Sequence, residues 1–566
     1  MNRALAATTA LVAVPAAFTV AASFIFTSAS QYWQDPWFRQ GGWSYAFWPY
    51  VTDPSHTGMQ KLWLAASGLG GAAVAFAVGR LLLARSKSAL YGKARWQTLW
   101  GAYKAGVRFG FTPRPDGIVL GKWGMLYASL PGEAHVSLTA TTGAGKGVSF
   151  VVPNALNWGG PLFCFSVKRD VLLETAAERE RLGRRVFVFD ITDPQGHTHR
   201  WSGLGEVRRG SVDAYDDIQK AMFSIVPEVK SSNPYWNDAA RMVATGVGVM
   251  LAETPGATLS IGNILKAVAQ PDYDTRLREM IVEAQFEGRP YPAAAVGAVV
   301  GWLDNQESDG GKAVRSTVIT ALSLWQIPRV NAATGASDFD LGSVRTGDFD
   351  VFVCAQPSDI RRLRSIYGLF FNHLIEKNSR VDFKDLDPMP AYRTLVLLDE
   401  RWSLGSMTVL DDATAFIRSF GFRMVVVLQT KDQLKMSLGQ EGADNLFNNM
   451  GAELIFGGCD IKTAEEFSKR GWNDTVEEAS TSKPKFAWLN FTKHNENKSN
   501  KQRALILPQE IEALPKDVVL VKMKGEPLLK LKRIFWYKDK AFRAKGGSPP
   551  PMPVLHVEVD RSTGVN

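Results

Sequence analysis

Seven short runs of almost uninterrupted apolar residues constrain the fold of this chain most strongly. Runs of this kind, rich in Val, Leu, Ile and Phe, are typical of strands that are buried on both faces of a parallel sheet. They occupy residues 135–140, 161–168, 184–192, 349–356, 393–400, 422–430 and 451–458. Helix-like segments separate the first three runs, which is the alternation that builds an α/β domain. We therefore predict an α/β fold around a doubly wound parallel sheet.

A long segment of different character separates the first three runs from the last four. Between Asp213 and Trp325, stretches such as NPYWNDAARMVATGVGVMLAE have helical periodicity, and few β-branched runs intervene. We predict an all-α domain over residues 213–330, inserted between two parts of one α/β domain, residues 93–212 and 331–545. The Pro- and Gly-rich start of residues 546–566 predicts an extended C-terminal tail.

The first run leads into ATTGAGKG, residues 140–147, which resembles a phosphate-binding loop. In the pattern G-x-x-x-x-G-K-[ST], backbone N–H groups surround the phosphates, the lysine contacts them and the hydroxyl binds Mg²⁺. Gly145 and Lys146 hold their places, whereas Ala140 replaces the first glycine and Gly147 replaces the hydroxyl residue. Backbone N–H groups and Lys146 suffice to bind phosphate without the altered residues. The residues expected to contact the nucleotide are Thr142, Gly143, Ala144, Gly145, Lys146, Gly147 and Val148.

Two acidic residues and a glutamine follow later strands. The run RTLVLLDE ends in Asp399 and Glu400, and VVVLQ ends in Gln429. Because the carboxyl ends of parallel strands meet at one edge of a sheet, these side chains should converge on the loop. We assign Mg²⁺ to Asp399, the attacking water to Glu400 and the γ-phosphate to Gln429, which with Lys146 are the predicted catalytic residues of an ATP hydrolase. A purely structural acidic pair at a strand end is the alternative.

The N-terminal residues are apolar enough to predict two membrane spans. No charged residue occurs between Ala4 and Thr27, and a second apolar stretch covers residues 62–79. About twenty apolar residues cross a bilayer, so we predict a transmembrane region over residues 1–92 with spans at about 4–27 and 62–79 and a short periplasmic loop between them. Basic residues after the second stretch place the following chain in the cytoplasm. A cleavable signal peptide remains open for the first stretch.

The composition of the chain, and the absence of two sequence motifs, argue against some classes of enzyme. Lys plus Arg exceed Asp plus Glu by 65 − 56 = 9, which permits a polyanionic partner without identifying one. The cysteines Cys164, Cys354 and Cys459 lack metal-binding spacing and indicate a reducing compartment. No histidine lies in an H-E-x-x-H motif, which argues against a membrane-anchored zinc protease. No LSGGQ-like run precedes LLDE, which disfavours an ABC-type ATPase.

A late segment, KMKGEPLLKLKRIFWYKDKAFRAK at residues 522–545, combines basic and aromatic residues. Such a mixture suits nucleic-acid backbones and bases. The alternation in LLKLKRIFWY equally describes an edge strand whose lysines face solvent and prevent aggregation. We favour the edge strand, so this segment is not evidence for DNA binding.

Five stretches resemble, in order, the type IV secretion coupling proteins of the TraG/TraD type. In chain order they are TGAGKGVSFVVPNAL, residues 165–194, LVLLDE, residues 425–471 and residues 503–539. The resemblance covers nearly the whole chain and implies a RecA-like P-loop domain with an inserted all-α domain and two N-terminal transmembrane helices. It also implies a homohexamer at the cytoplasmic face of the bacterial inner membrane, a multi-pass protein with most of its chain in the cytoplasm.

The function implied by the resemblance is that of an ATPase in conjugation. Such a coupling protein uses ATP and Mg²⁺, recruits a relaxase bound to DNA, and drives this substrate to the type IV secretion channel. The DNA would be single- or double-stranded and held without sequence preference. The alternative is a coupling receptor and ATPase for secreted effector proteins, since the same motor serves both substrates.

The sequence departs from the family pattern at two places, and the pattern leaves the identity of one catalytic arginine open. Ser166 stands where the family has an aspartate before its lysine, here Lys168, and Arg401 and Trp402 follow the acidic pair where Phe and a small residue are usual. In ring motors an arginine from the neighbouring subunit stabilises charge on the phosphate. The candidates for that role are Arg315, Arg362, Arg364, Arg418 and Arg423.

Overall fold

The computed structural model describes residues 13–25, 58–83, 94–226, 235–400, 404, 413–471, 473–482 and 495–557. The chain divides into two compact units. One unit contains Met1–Leu90 and Ala479–Asn500, and the other contains Tyr91–Glu478 and Lys501–Asn566.

Fourteen strands occur in the described residues. In chain order they are β1 (Arg108–Gly110), β2 (Ile118–Trp123), β3 (Leu126–Leu130), β4 (His135–Thr139), β5 (Leu162–Ser166), β6 (Arg185–Phe189), β7 (Phe349–Cys354), β8 (Thr394–Leu398), β9 (Phe422–Leu428), β10 (Met450–Phe456), β11 (Asn473–Ser482), β12 (Asn495–Ala504), β13 (Val518–Met523) and β14 (Leu529–Lys532).

Twelve of these strands form one sheet in the order β1-β3-β2-β14-β13-β10-β4-β9-β8-β5-β7-β6, while β11 and β12 pair with each other. The seven strands from β10 to β6 are parallel, and the remaining pairs are antiparallel. Each predicted apolar run overlaps one of the seven parallel strands, although β10 begins one residue before its run, and β4, β5, β7, β8 and β9 are buried throughout. The predicted α/β fold around a parallel sheet is confirmed.

The β14 strand corrects one expectation. It lies inside the sheet between β13 and β2, although its register with β2 contains a single residue pair, Lys532 with Lys122. Buried leucines alternate with the exposed Lys530 and Lys532 along the strand. The lysines therefore face solvent as predicted, but the strand is not at the edge of the sheet.

Seventeen α-helices occur in the described residues. They are α1 (residues 13–25), α2 (Gly58–Leu83), α3 (Leu99–Lys104), α4 (Val152–Asn157), α5 (Asp170–Arg181), α6 (Ala214–Ile225), α7 (Tyr235–Glu253), α8 (Ile261–Ala269), α9 (Tyr273–Phe286), α10 (Ala293–Leu303), α11 (Asp309–Leu322), α12 (Pro328–Thr334), α13 (Arg364–Asn378), α14 (Lys431–Asn449), α15 (Ile461–Arg470), α16 (Pro508–Glu512) and α17 (Lys540–Arg543).

Seven of these helices, α6 to α12, lie between β6 and β7 in the chain. Their buried side chains, such as Val247 and Val318, belong to the same apolar cluster as Phe163 and Val351 of the sheet. Apolar burial therefore joins the helical segment to one face of the sheet. The boundaries of an all-α domain at residues 213–330 stay a prediction.

The structure gives no support to the two predicted membrane spans. No helix within the described ranges combines the length and the apolar character needed to cross a bilayer. The second predicted span falls in α2, while much of the first, and the loop that follows it, lies outside the described residues.

Candidate functional site

The order of three neighbouring strands brings the predicted site residues together. β9 lies between β4 and β8, and all three strands are parallel. Their carboxyl ends therefore share one edge, where β4 leads into the glycine-rich loop, β8 into Asp399 and Glu400, and β9 into Gln429. The N–H of Ala140 donates to the carbonyl of Leu428 at 2.9 Å, which extends the pairing of β4 and β9 into the loop.

Glycine is required at two positions of the loop. Gly143 and Gly145 have φ values of 78° and 76°, in the left-handed region that most side chains avoid. A Cβ added at Gly143 or Gly147 would meet no heavy atom within 4 Å. The helix after the loop starts as a π-helix, Gly147–Val151, without a side-chain cap at Lys146, and continues as α4. Open space thus adjoins backbone N–H groups at a helix N-terminus, a geometry that suits phosphate.

Lys146, Asp399, Glu400 and Gln429 form one cluster at this edge. The Lys146 Nζ lies 2.8 Å from the Glu400 Oε1 and 3.9 Å from the Asp399 Oδ1. Gln429 Nε2 donates to the same Glu400 oxygen at 3.2 Å. The lysine side chain is 14% exposed, so it can still be reached from solvent. The structure brings the four predicted residues together, and their catalytic roles stay a prediction.

Glu400 has an unusual backbone conformation. Its φ is 64°, and no other residue with a side chain has a positive φ in the part of the chain that the structure describes. A left-handed conformation costs a residue with a Cβ about 1–2 kcal/mol. This turn directs the Glu400 carboxylate toward Lys146, and such strain is characteristic of functional positions.

Asp399 is suited to hold a cation. Burial raises its pKa to about 6, Lys146 opposes this change and Glu400 adds to it. The Oδ1 atom is buried and accepts no hydrogen bond from any described residue. A buried carboxylate oxygen without a hydrogen-bond partner costs free energy that a hydrated cation can offset. The described residues contain no cluster of three or more His, Cys, Asp or Glu that could hold a metal ion. Mg²⁺ commonly binds through one or two carboxylates together with water and phosphate oxygens, and Asp399 fits that pattern.

Sequence reasoning missed Arg533, whose guanidinium contacts the loop. It donates to the carbonyls of Ala144 and Gly145 at 2.6 and 3.1 Å and to the hydroxyl of Ser149 at 2.6 Å. The only sequence signal was the solvent-facing alternation of β14, which ends at Lys532 and does not predict that the next residue turns inward.

Residues 97–553 match the family model described as Type IV secretory system Conjugative DNA transfer. The chain belongs to this family of coupling proteins. Among curated relatives, Protein VirD4 of Rhizobium radiobacter is 25% identical over 529 residues, covering 90% of this chain and 74% of the relative. Conjugal transfer protein TraG of Escherichia coli is 26% identical over 565 residues, covering 92% and 86% of the two chains.

Solved structures share the fold of this coupling protein. The bacterial conjugative coupling protein TrwBdeltaN70, in a trigonal form with sulphate, has a TM-score of 0.55 at 18% identity and covers 81% of this chain and 99% of its own. Plasmid coupling protein TrwB in complex with the ATP analogue ADPNP has a TM-score of 0.50 at 20% identity, with coverages of 72% and 88%. At these identities the likeness concerns the fold.

Two of the five candidate arginines of the coupling protein have backbone carbonyls as structural partners, and a third lies toward the amino ends of the parallel strands. Arg315 donates to the last carbonyls of α8, Val268 and Ala269, and to that of Gln270. Arg423 is buried and donates to the Ala134 carbonyl, which precedes β4. Arg418 lies before β9 in the chain, so it is near the amino ends of the parallel strands, opposite the carboxyl edge.

The remaining two candidates, Arg362 and Arg364, are exposed and follow the carboxyl end of β7. Arg362 also pairs with Asp359 at 2.6 Å.

The departures from the family pattern have different structural outcomes. Ser166 ends β5 and is buried, whereas Lys168 is exposed at the carboxyl edge of the sheet. Arg401 and Trp402 lie outside the described residues.

Proposed function

We propose that this coupling protein is an ATP hydrolase that recruits relaxase-bound DNA and drives it to the type IV secretion channel. The observation that carries the proposal is the cluster of Lys146, Asp399, Glu400 and Gln429 beside a glycine-rich loop. These side chains follow the ends of three different strands. Together they bring a positively charged side chain, a carboxylate for Mg²⁺ and a carboxylate that orients water to one place. Family membership supports DNA transfer as the purpose of this chemistry.

Each side chain has a distinct role in the proposed reaction. Lys146 pairs with the β- and γ-phosphates, and its 2.8 Å contact with Glu400 supports a reacting phosphate close to the carboxylate that orients the water. Gln429 donates to Glu400 and is placed to hydrogen-bond to the γ-phosphate. Asp399 holds hydrated Mg²⁺, which when bound offsets the negative charge that develops on the phosphate oxygens.

The proposed assembly is a homohexamer with nucleotide sites between subunits. The exposure of Arg362 and Arg364 after β7 supports these two as the arginines that would act on a neighbour's site. We place the ring at the cytoplasmic face of the bacterial inner membrane, beside the channel components. The complex of TrwB with ADPNP supports a nucleotide-dependent cycle by similarity of fold.

A hydrolysis assay of the purified full-length protein tests the proposal. Lys146→Ala removes the charge that pairs with phosphate, so we expect loss of both nucleotide binding and turnover. Glu400→Gln keeps the size and hydrogen bonding of the side chain, so it should bind ATP and lose at least about a hundredfold in kcat. Arg185→Ala, which truncates an exposed side chain at the start of β6, is the control. Normal turnover in the Glu400→Gln variant would show that another residue orients the water.

A further inference from the structure

We propose that Arg533 is a positioning residue of the nucleotide site, which holds the glycine-rich loop in the shape that phosphate binding requires. This inference rests on the proposed nucleotide site and adds a residue from far along the chain. Arg533 follows β14, and its guanidinium reaches the loop between β4 and α4.

The contacts of Arg533 are concentrated on the loop and its helix. One guanidinium nitrogen, Nη2, contacts both loop carbonyls and the Ser149 hydroxyl, and Nε also donates to that hydroxyl, at 3.1 Å. The third nitrogen, Nη1, donates to the Lys516 carbonyl at 2.9 Å. The guanidinium plane is further supported by Phe456, whose ring centroid lies 3.6 Å from the guanidinium carbon. Every nitrogen of the side chain is thus fixed, and two of the three bind the loop region.

Loop carbonyls are the groups that need such a partner. In a phosphate-binding loop the N–H groups must point at the anion, so the carbonyls of the same peptides must point elsewhere. The carbonyls of Ala144 and Gly145 belong to the two residues before Lys146, and a donor that binds both fixes the orientation of those peptides. The Gly145 carbonyl also accepts from the N–H and the hydroxyl of Ser149, at 3.1 and 2.7 Å. Loss of Arg533 would therefore release chiefly the Ala144 carbonyl, which could rotate toward the phosphate and repel it.

Burial makes these hydrogen bonds stronger than surface contacts. Arg533 is 8% exposed. Burial lowers the pKa of Arg533 to about 10 and Asp517 partly opposes this change, so the side chain remains charged at neutral pH. Hydrogen bonds from a charged donor in a poorly solvated environment are about twice as strong as neutral ones. The positive charge also lies close to where phosphate would bind.

The segment after Arg533 makes further contacts with the same helix. The N–H of Trp536 donates to the Val148 carbonyl at 3.1 Å, and the Lys545 Nζ donates to the Leu156 carbonyl at 3.0 Å. Arg533 is therefore the loop-contacting end of a longer packed segment, which limits how far the guanidinium can move away.

Nucleotide titrations of full-length variants test the inference. Arg533→Met removes the charge and all donors at similar length, whereas Arg533→Lys keeps the charge but cannot bind several acceptors at once. We expect Arg533→Met to raise the KM for ATP by about tenfold or more while kcat changes by less than about threefold, because the side chain contacts none of Lys146, Asp399 and Glu400. Arg533→Lys should recover part of the lost affinity.

A matched control separates positioning from general stability. Arg345 is 6% exposed and its guanidinium binds the carbonyls of Val381 and Phe420, so it is a buried, carbonyl-binding arginine outside the site. Arg345→Met should lower the thermal midpoint and leave the KM unchanged. A wild-type KM in Arg533→Met, with only its thermal midpoint lowered, would overturn the inference. Failure of the wild-type protein to bind ATP would instead overturn the proposed function.

Discussion

At position 400 the side chain and the backbone have opposite preferences. The carboxylate contacts Lys146 and accepts from Gln429, whereas the φ of 64° favours glycine. A glutamate adopts such a conformation when the surrounding structure holds it there, and residues of this kind cluster at functional sites. The strain at this residue therefore supports a functional rather than a structural interpretation of the acidic pair.

Paired substitutions of Glu400 can measure the strain. Glu400→Ala and Glu400→Gly both remove the contact with Lys146, so they differ only in the Cβ atom. We expect the glycine variant to be more stable by about 1 kcal/mol, because glycine adopts a positive φ without steric cost. The measurement is the urea midpoint of each variant. An alanine variant as stable as the glycine variant would show that the backbone is not strained.

The sequence predicted four site residues but neither the strain at Glu400 nor the role of Arg533. Lys146, Asp399, Glu400 and Gln429 follow strand-like runs, so their convergence follows from parallel pairing alone. The contact of Arg533 depends on β13 and β14 pairing beside β10, which is a choice of neighbours that no local pattern encodes. The alternation of apolar and basic residues along β14 correctly predicted that Lys530 and Lys532 face solvent. It gave no reason to expect that the Arg533 side chain is buried.

Among the elements, α5, β5 and β7 are joined by a buried charge cluster. The Arg179 side chain and Asp350 are both fully buried and paired at 2.5 Å, and Arg184 contacts the same carboxylate at 2.6 Å. Asp350 also accepts from the N–H of Leu162 at 2.8 Å. Breaking such a cluster on one side leaves an uncompensated charge in a poorly solvated place.

Removing the carboxylate should therefore destabilise the protein strongly. We expect Asp350→Ala to lower the free energy of unfolding by about 3–5 kcal/mol. The neighbouring pair of Arg185 and Asp348 is a matched control, because its side chains are 67% and 71% exposed. Asp348→Ala should cost less than about 1 kcal/mol. Equal urea midpoints for the two variants would contradict this account.

The parallel strands were easier to predict than the antiparallel ones. Strands buried on both faces give unbroken apolar runs, which is why β4 to β10 were all found. The short β1 to β3 contain polar and glycine residues, such as Gly121 and Lys122, and give no comparable signal. Antiparallel strands at the border of a sheet depend on their partners for stability, so their pattern is weaker.

For the whole molecule, the proposed composite site makes activity depend on assembly. Hydrolysis per subunit should rise with protein concentration and increase further when DNA is added, because an isolated subunit lacks the arginine of its neighbour. The measurement is the specific activity over a dilution series, with molecular mass recorded in parallel. Full specific activity in a monomer at high dilution would remove the basis for a ring.

The substrate should be recognised through its phosphates. We expect single- and double-stranded DNA to bind without sequence preference and with an affinity that falls steeply with salt, as neutralised phosphates release counterions. A net charge of +9 is modest, so the contacts should come from a local basic lining in the assembled ring. A log–log slope near zero, or no binding at low salt, would favour effector proteins as the substrate.

The solvent-facing lysines of β14 provide a specific test within that titration. Because Lys530 and Lys532 are explained as solvating groups on a strand, their replacement by alanine should leave the salt slope unaltered. A slope reduced by about two in the double variant would assign them to the phosphate contacts instead.

The position of β4 in the sheet has a consequence for protein synthesis. Its two neighbours, β9 and β10, come much later in the chain, and Arg533 is translated later still. Chains emerge from the ribosome with the N-terminal part first. The strands that pair with β4 are therefore synthesised only after most of the polypeptide has been made, and the glycine-rich loop cannot be completed before then. A product that ends prematurely cannot assemble the loop with its partners. Abortive translation should therefore yield fragments that consume no ATP, and only a finished polypeptide would be competent to do so.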